Sequence, residues 1–241
     1  MKKNIAVVMG GYSSEVDISL ESGAVVFKHL DKEKYAPYQV HILQNKWVAV
    51  EDENEYQIDK NDFSFTKNGL KITFDCVFNA IHGAPGENGG LLAYFDLIDM
   101  KHTSAPFYQM ALTFNKRDTL SVVKHYGIPT AKSVYFNQGD HYTVNGIIDK
   151  VGLPCFVKPN NAGSSFGISK VYKEEELIPA IDKAFKEDSE ILIESFLDGT
   201  EVSVGVIEYQ GKTTVLPITE IVSDNDFFDY DAKYLGQSQE I

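Results

Sequence analysis

The chain of 241 residues is 43% hydrophobic and 24% charged, with a formal net charge of −13. That length fits one large or two small domains and could bury roughly 70–75% of the unfolded surface. The acidic excess and the lack of a long basic run argue against nucleic acid or an anionic membrane as main partner. An anionic ligand would need locally concentrated lysines, and no window approaches the length of a membrane span.

The N-terminus, MKKNIAVVMGG, begins as a signal peptide might. Its apolar run, Ile5–Met9, is too short for one and reads as the first strand of a cytoplasmic protein. Gly10–Ser13 reads as a tight loop. Ser14 and Asp17 have the spacing of a capping box, and Ile18, Val25, Val26 and Leu30 form a helical stripe. Tyr38–Leu43 returns as a strand, so the opening is a βαβ unit. Its glycine loop at a helix N-terminus suits an anionic group, although GG is not a dinucleotide fingerprint.

Trp47–Val50, Gln57–Ile58 and Leu70–Phe74 are expected as short antiparallel strands. Cys76–Ile81 is a buried strand ending at His82-Gly83, before a glycine-rich loop and a helix over Leu91–Met100. Cys76 and Cys155 lie in apolar runs and read as small buried hydrophobes. Ser104-Ala105-Pro106 marks a boundary. Asn115–Tyr126 is a helix ended by Gly127-Ile128-Pro129, followed by a strand, Lys132–Phe136, and a helix, Val144–Val151.

The stretch Pro154–Tyr172, PCFVKPNNAGSSFGISKVY, is two strands joined by a Gly/Ser/Asn turn. Its glycines admit close backbone approach, Ser164 and Ser165 add donors, and Lys158 supplies a cation. The lysine precedes the loop and a strand follows, so this is not a Walker A loop. A helix over Glu176–Lys186 tolerates Pro179 only in its first turn. Ile191–Phe196 is a strand, and Val202, Val204 and Val206 alternate as a half-buried one. Thr213–Ile218 follows, and 223–241 shows no clear period.

Lys116 is a second candidate phosphate cation, with a plain surface lysine as the alternative. Glu194 and Glu201 flank a strand end, spaced for an adenine edge and a ribose, or simply as solvated carboxylates. Lys233 is a third cation in an acidic loop. The run 224–231 lacks the glycine and terminal Glu of a calcium loop, and the histidines show no metal spacing.

Six segments in order, GGYSSEVDISLESG, IHGAPGENGG, NKRDTL, VKPNNAGSSFGISKV, LIESFLDGTEVSVGV and FFDYDAKY, resemble the ATP-grasp superfamily. Within it the chain is similar to the bacterial D-alanine–D-alanine ligases. The resemblance implies an α/β ATP-grasp fold with an N-terminal Rossmann-like βαβ domain (1–103), a central α+β domain (104–194) and an incomplete C-terminal ATP-grasp domain (195–241) with a lid at 223–241. It implies ATP and D-alanine as substrates, and synthesis of D-alanyl-D-alanine for peptidoglycan through an acyl phosphate.

By the same resemblance Glu15 meets the ammonium of the first D-alanine, and His82 borders that pocket. Lys116 and Lys158 fall on the phosphate lysines, Ser165 on a phosphate donor and Lys233 near the γ-phosphate. Glu194 and the backbone of Phe196 and Leu197 match the adenine contacts, and Glu201 the ribose. Ser164 and Tyr234 form a hydrogen-bonded set with Glu15. Asn115, Asn88, Leu92-Ala93 and Tyr12 depart from the usual pattern without removing a charge. The magnesium or manganese ligands of the family lie past residue 241, so residues 1–241 alone are expected to be inactive. A homodimer is also implied. D-lactate or D-serine as acceptor, or a non-catalytic nucleotide-binding module, are the competing readings.

Overall fold

The computed structural model describes residues 2–223 and 238–240. Lys233, Tyr234 and most of the expected lid lie outside the described residues. The chain divides into two compact units, Met1–Pro129 with Asn160–Gly163, and Thr130–Pro159 with Ser164–Ile241.

In the first unit β1 (Lys3–Gly11), α1 (Val16–His29) and β2 (Tyr35–Leu43) form the expected βαβ, with β1 parallel to β2. β3 (Lys46–Glu51), β4 (Asn54–Asp59), β5 (Ser64–Lys67) and β6 (Leu70–Ile72) extend the sheet on one side, and β7 (Cys76–Asn79) pairs with β1 on the other. The strand order is β6-β5-β4-β3-β2-β1-β7. From Ile5 onward both faces of β1 are covered, which is why that part of it carries no polar side chain. Ala6 and Val8 enter a core with Trp47, Phe63, Phe65 and Phe95, while Ile5, Val7 and Met9 pack under α1.

Three expectations need correction here. β1 runs through Gly11, so the glycines end the strand rather than form a loop. The capping box at Ser14 is absent: Glu15 is the N-cap and no side chain caps the helix. Ser19 instead ties α1 down, accepting from the Gly10 amide (2.8 Å) and donating to the Ala80 carbonyl (2.9 Å). After α2 (Gly90–Leu97) comes α3 (Phe107–Phe114), where the sequence marks only a boundary. Asn115 then closes α3 and caps α4 (Lys116–His125), its side chain accepting from the Asp118 amide at 2.9 Å.

The contact of α1 with β1 is close enough to test. A Cβ on Gly23 would lie 2.6 Å from Met9 Cβ and 2.8 Å from its Cε. Alanine gains about 1 kcal/mol of helix propensity over glycine, but overpacking costs about 1–3 kcal/mol. Gly23→Ala is therefore expected to lower stability by up to about 2 kcal/mol in urea unfolding, and a stabilised variant would show that α1 is loosely seated. Nearby, Trp47 Nε1 donates to the Tyr12 hydroxyl (2.7 Å), and the Lys60 ammonium lies 4.3 Å from the indole centre.

The second unit contains β8 (Ser133–Asn137), α5 (Val144–Val151), β9 (Cys155–Pro159), β10 (Ser169–Val171), α6 (Glu174–Ala184) and β11 (Glu190–Ser195). They build an antiparallel sheet, β10-β9-β11-β8. Cys155, Val157, Val171, Ile191 and Ile193 point to one face and pack on α5 and α6. Both cysteines are free thiols, and burial pushes that of Cys155 up to about 11. Pro179 sits well inside α6, not in its first turn. Pro179 and Glu175 are both exposed, so the Glu175 carbonyl, losing its usual donor, lies on the solvent side.

β12 (Val202–Tyr209), β13 (Lys212–Ser223) and β14 (Ser238–Glu240) form a separate antiparallel sheet. The register slips between Val204 and Val206, opposite Leu216-Pro217, where proline removes a ladder donor. The half-burial expected of β12 is not found: every residue of it is exposed. Alternation writes a face, but burial needs a covering layer, and no described helix packs against this sheet.

Candidate active site

In the first unit the site forms around Glu15, which is only 2% exposed. Its carboxylate lies in a slot between two glycines. A Cβ on Gly83 would stand 2.9 Å from Glu15 Oε2 and 2.3 Å from Ser13 Oγ. A Cβ on Gly163 would stand 2.7 Å from Glu15 Oε1. Gly83 also has φ +73°, a backbone state that side chains disfavour. Only glycine at both positions leaves room for the acid.

His82 precedes Gly83. Its Nε2 lies 3.1 Å from Ser22 Oγ on α1, and its carbonyl accepts from Ser13 Oγ at 3.3 Å. Glu87 closes the loop by accepting the Gly83 amide proton at 2.6 Å. Burial pushes the Glu87 carboxyl above its ordinary range, and the charge of Glu15 adds to the rise. Lys116, at the first position of α4, donates to the carbonyls of Ala162 (2.6 Å) and Asn160 (3.4 Å). Buried Asn160 accepts the Arg117 amide at 2.9 Å, which fixes residues 160–163 on the start of α4.

In the second unit the site is the sheet face turned away from α5 and α6. Cross-strand pairing sets Lys170 beside Phe156, Phe156 beside Glu194, and Glu194 beside Ser133. Lys158, two residues from Phe156, shares that face because strand side chains alternate. Its ammonium donates to Glu194 Oε2 at 2.7 Å, with side chains 26% and 10% exposed. The same ammonium lies 5.2 Å from the Phe156 ring centre, and that of Lys170 lies 4.3 Å from the Phe196 ring. The result is an aromatic floor with a cation–carboxylate pair, a surface able to take a planar base beside a charged group.

The Phe196 amide donates to the Pro154 carbonyl at 3.2 Å, and Leu197 is exposed. Ser164 and Ser165 have φ of 48° and 61°, a left-handed pair that serine rarely adopts and that costs about 1–3 kcal/mol per residue. Glu201 is exposed at the foot of β12, its carbonyl accepting from Ile221 at 2.9 Å. Thus Glu15 and His82 share one cluster, and Lys158, Glu194 and Phe196 another.

Sequence reasoning missed Phe156, Lys170 and Glu87. The first two were available from hairpin register, which sets Lys170 across from Phe156. Nothing in the loop sequence singles out Glu87. Among the described residues no group of three or more His, Cys, Asp or Glu could hold a metal ion, so these residues do not fit one. No described helix is long and apolar enough to cross a membrane.

A βαβ unit with a buried acid, and an antiparallel sheet whose lysine precedes a Gly/Ser loop and pairs with a glutamate beyond it, belong here to an α/β fold that structural likeness places in the ATP-grasp class of ligases. Models of the D-ala D-ala ligase N-terminus and C-terminus match residues 4–105 and 122–241. The D-alanine–D-alanine ligase of Flavobacterium johnsoniae is 67% identical over 240 residues, covering 99% of this chain and 74% of that protein. The chain belongs to the D-alanine–D-alanine ligase family. Among solved structures, D-alanyl-alanine synthetase A from Vibrio cholerae superposes with a TM-score of 0.84 at 26% identity, covering 100% of this chain and 73% of that one. The D-alanine–D-alanine ligase of Bacillus anthracis complexed with ATP gives 0.70 at 26% identity, covering 99% and 70%.

Proposed function

We propose that the chain is an ATP-dependent ligase that joins two D-alanine molecules. The γ-phosphate passes to the carboxylate of one D-alanine, giving an acyl phosphate. The amine of a second D-alanine attacks that carbonyl, and phosphate leaves as the amide bond forms. Such transfers depend mainly on positioning and on fixed charge.

Each group of residues has a part in that chemistry. Glu15 receives the first ammonium in the glycine slot, with His82 beside it; a unit charge pair at 4 Å is worth about 4 kcal/mol at an effective dielectric near 20. The base lies on the face of Phe156 and Phe196, meeting the Phe196 carbonyl and the Leu197 amide, because the Phe196 amide is already bonded to Pro154. Lys158 exchanges Glu194 for phosphate oxygens, Ser165 and Lys116 add donors, Lys233 reaches the γ-phosphate and Glu201 takes the ribose. Ser164 and Tyr234 orient the second amine together with Glu15. The magnesium or manganese that the resemblance implies has no donor set among the described residues. The same reading makes the protein a cytoplasmic homodimer serving peptidoglycan synthesis.

The observation that carries the reading is the buried Glu15 between Gly83 and Gly163. Glu15→Gln keeps the shape and removes the charge. Calorimetry should then show D-alanine affinity reduced by at least 10-fold with ATP affinity unchanged. Equal D-alanine affinity in both proteins would remove Glu15 from substrate binding.

A further inference from the structure

We propose that Glu87 is a second carboxylate of the ammonium pocket, holding the Gly83 peptide beside Glu15 and adding its own negative charge to the binding of the substrate amine. The inference rests on the reading of Glu15 as the ammonium site and extends it to a residue outside the proposed set.

The geometry carries it. Gly83 and Glu87 are clasped twice: the Gly83 amide donates to Glu87 Oε2 at 2.6 Å, and the Glu87 amide donates to the Gly83 carbonyl at 2.8 Å. Gly83 is one wall of the slot that holds Glu15 Oε2. The residue before it, His82, has its carbonyl bonded to Ser13 and its ring to Ser22. A carboxylate that locks Gly83 therefore sets both the slot and the histidine. It is also half-buried, where a structural clasp needs only a neutral acceptor and a charge is costly. The titratable groups acting on it are Glu15 at the start of α1, His82 after β7 and Lys116 at the start of α4.

The pH dependence follows from the sign of the charge. The Glu87 carboxyl is held above its ordinary range, chiefly by burial. As pH falls from neutral it takes up a proton before an ordinary carboxylate would, and the pocket loses a negative charge while the substrate ammonium keeps its own. The linkage to folding has the opposite sense. A carboxyl raised in the folded state adds stability below its unfolded pKa, and this is lost as pH rises through the folded value. At neutral pH the ionised Glu87 is thus a burden on the fold and an aid to binding.

The test titrates D-alanine and D-lactate into the chain and into Glu87→Gln by calorimetry from pH 5 to 8, alongside thermal melts. Glutamine keeps an acceptor for the Gly83 amide. Glu87→Gln should bind D-alanine 5- to 10-fold more weakly at pH 7.5, bind D-lactate as the wild type does, and melt no lower than it. Its D-alanine affinity should also fall less steeply as pH is lowered. Unchanged D-alanine affinity would overturn the proposal, as would an equal loss for both ligands or a lowered melting temperature, each of which marks a plain structural clasp. If the wild type binds ATP but not D-alanine, the ammonium pocket itself falls, and Glu87 with it. If Glu15→Gln weakens D-alanine while Glu87→Gln does not, only the role of Glu87 is lost.

Discussion

Gly83→Ala is expected to abolish measurable D-alanine binding while ATP binding persists. The new methyl would stand 2.3 Å from Ser13 Oγ and 2.9 Å from Glu15 Oε2, distances that force a shift. Ser13 Oγ also accepts the Glu15 amide at 3.3 Å and donates to the His82 carbonyl, so moving it displaces both pocket residues. The left-handed backbone adds about 1–2 kcal/mol of strain for a non-glycine residue. A loss of at least 100-fold corresponds to about 2.7 kcal/mol. Gly127→Ala is the control, since Gly127 has φ +75° but open space around its Cβ position. It carries the strain without the crowding and should bind D-alanine normally. Equal behaviour of the two variants would mean that the slot does not depend on glycine.

Lys158→Ala should weaken ATP at least 100-fold and adenosine less than 3-fold, measured by calorimetry. The same change strands Glu194, whose side chain is only 10% exposed, and should lower stability by about 1–3 kcal/mol. Two consequences of one substitution can be separated by a second. Replacing a buried pair with apolar residues is often neutral for folding, so Lys158→Met with Glu194→Leu should recover stability and still fail to bind ATP. A double variant that regains ATP affinity would show that Lys158 acts through the fold alone.

The parts of the molecule visible in the sequence are those written in local patterns. The βαβ opening follows from an apolar strand, a helical stripe and a returning strand. The hairpin that carries Lys158 follows from two apolar runs around a Gly/Ser cluster. Three features depend instead on what lies opposite. β12 alternates as a half-buried strand yet is exposed, because no described helix packs against its sheet. α3 follows Pro106 directly and none of its residues is fully buried, so its stripe of Phe107, Met110, Ala111 and Phe114 becomes a face only through the partial cover that Met110 finds on the first core. Pro179 is accepted within α6 because the carbonyl it deprives is on the water side.

The site divides along the same line. Glu15, Lys158 and Glu194 stand out as charges beside glycines and strand ends. The slot around Glu15 does not, since its walls, Gly83 and Gly163, come from loops 80 residues apart in the chain. Glu87 is legible only once its carboxylate is seen on the Gly83 amide.

The hydrogen bond from Trp47 to Tyr12 makes the molecule its own spectroscopic reporter. Trp47 is the sole tryptophan of the chain, it is 9% exposed, and Tyr12 stands three residues before Glu15. Excitation at the red edge of the protein band therefore addresses the first unit, while the second is optically silent. Fluorescence will follow the unfolding of that unit, and circular dichroism will follow both units. A difference between the two transitions would show directly that the units melt separately.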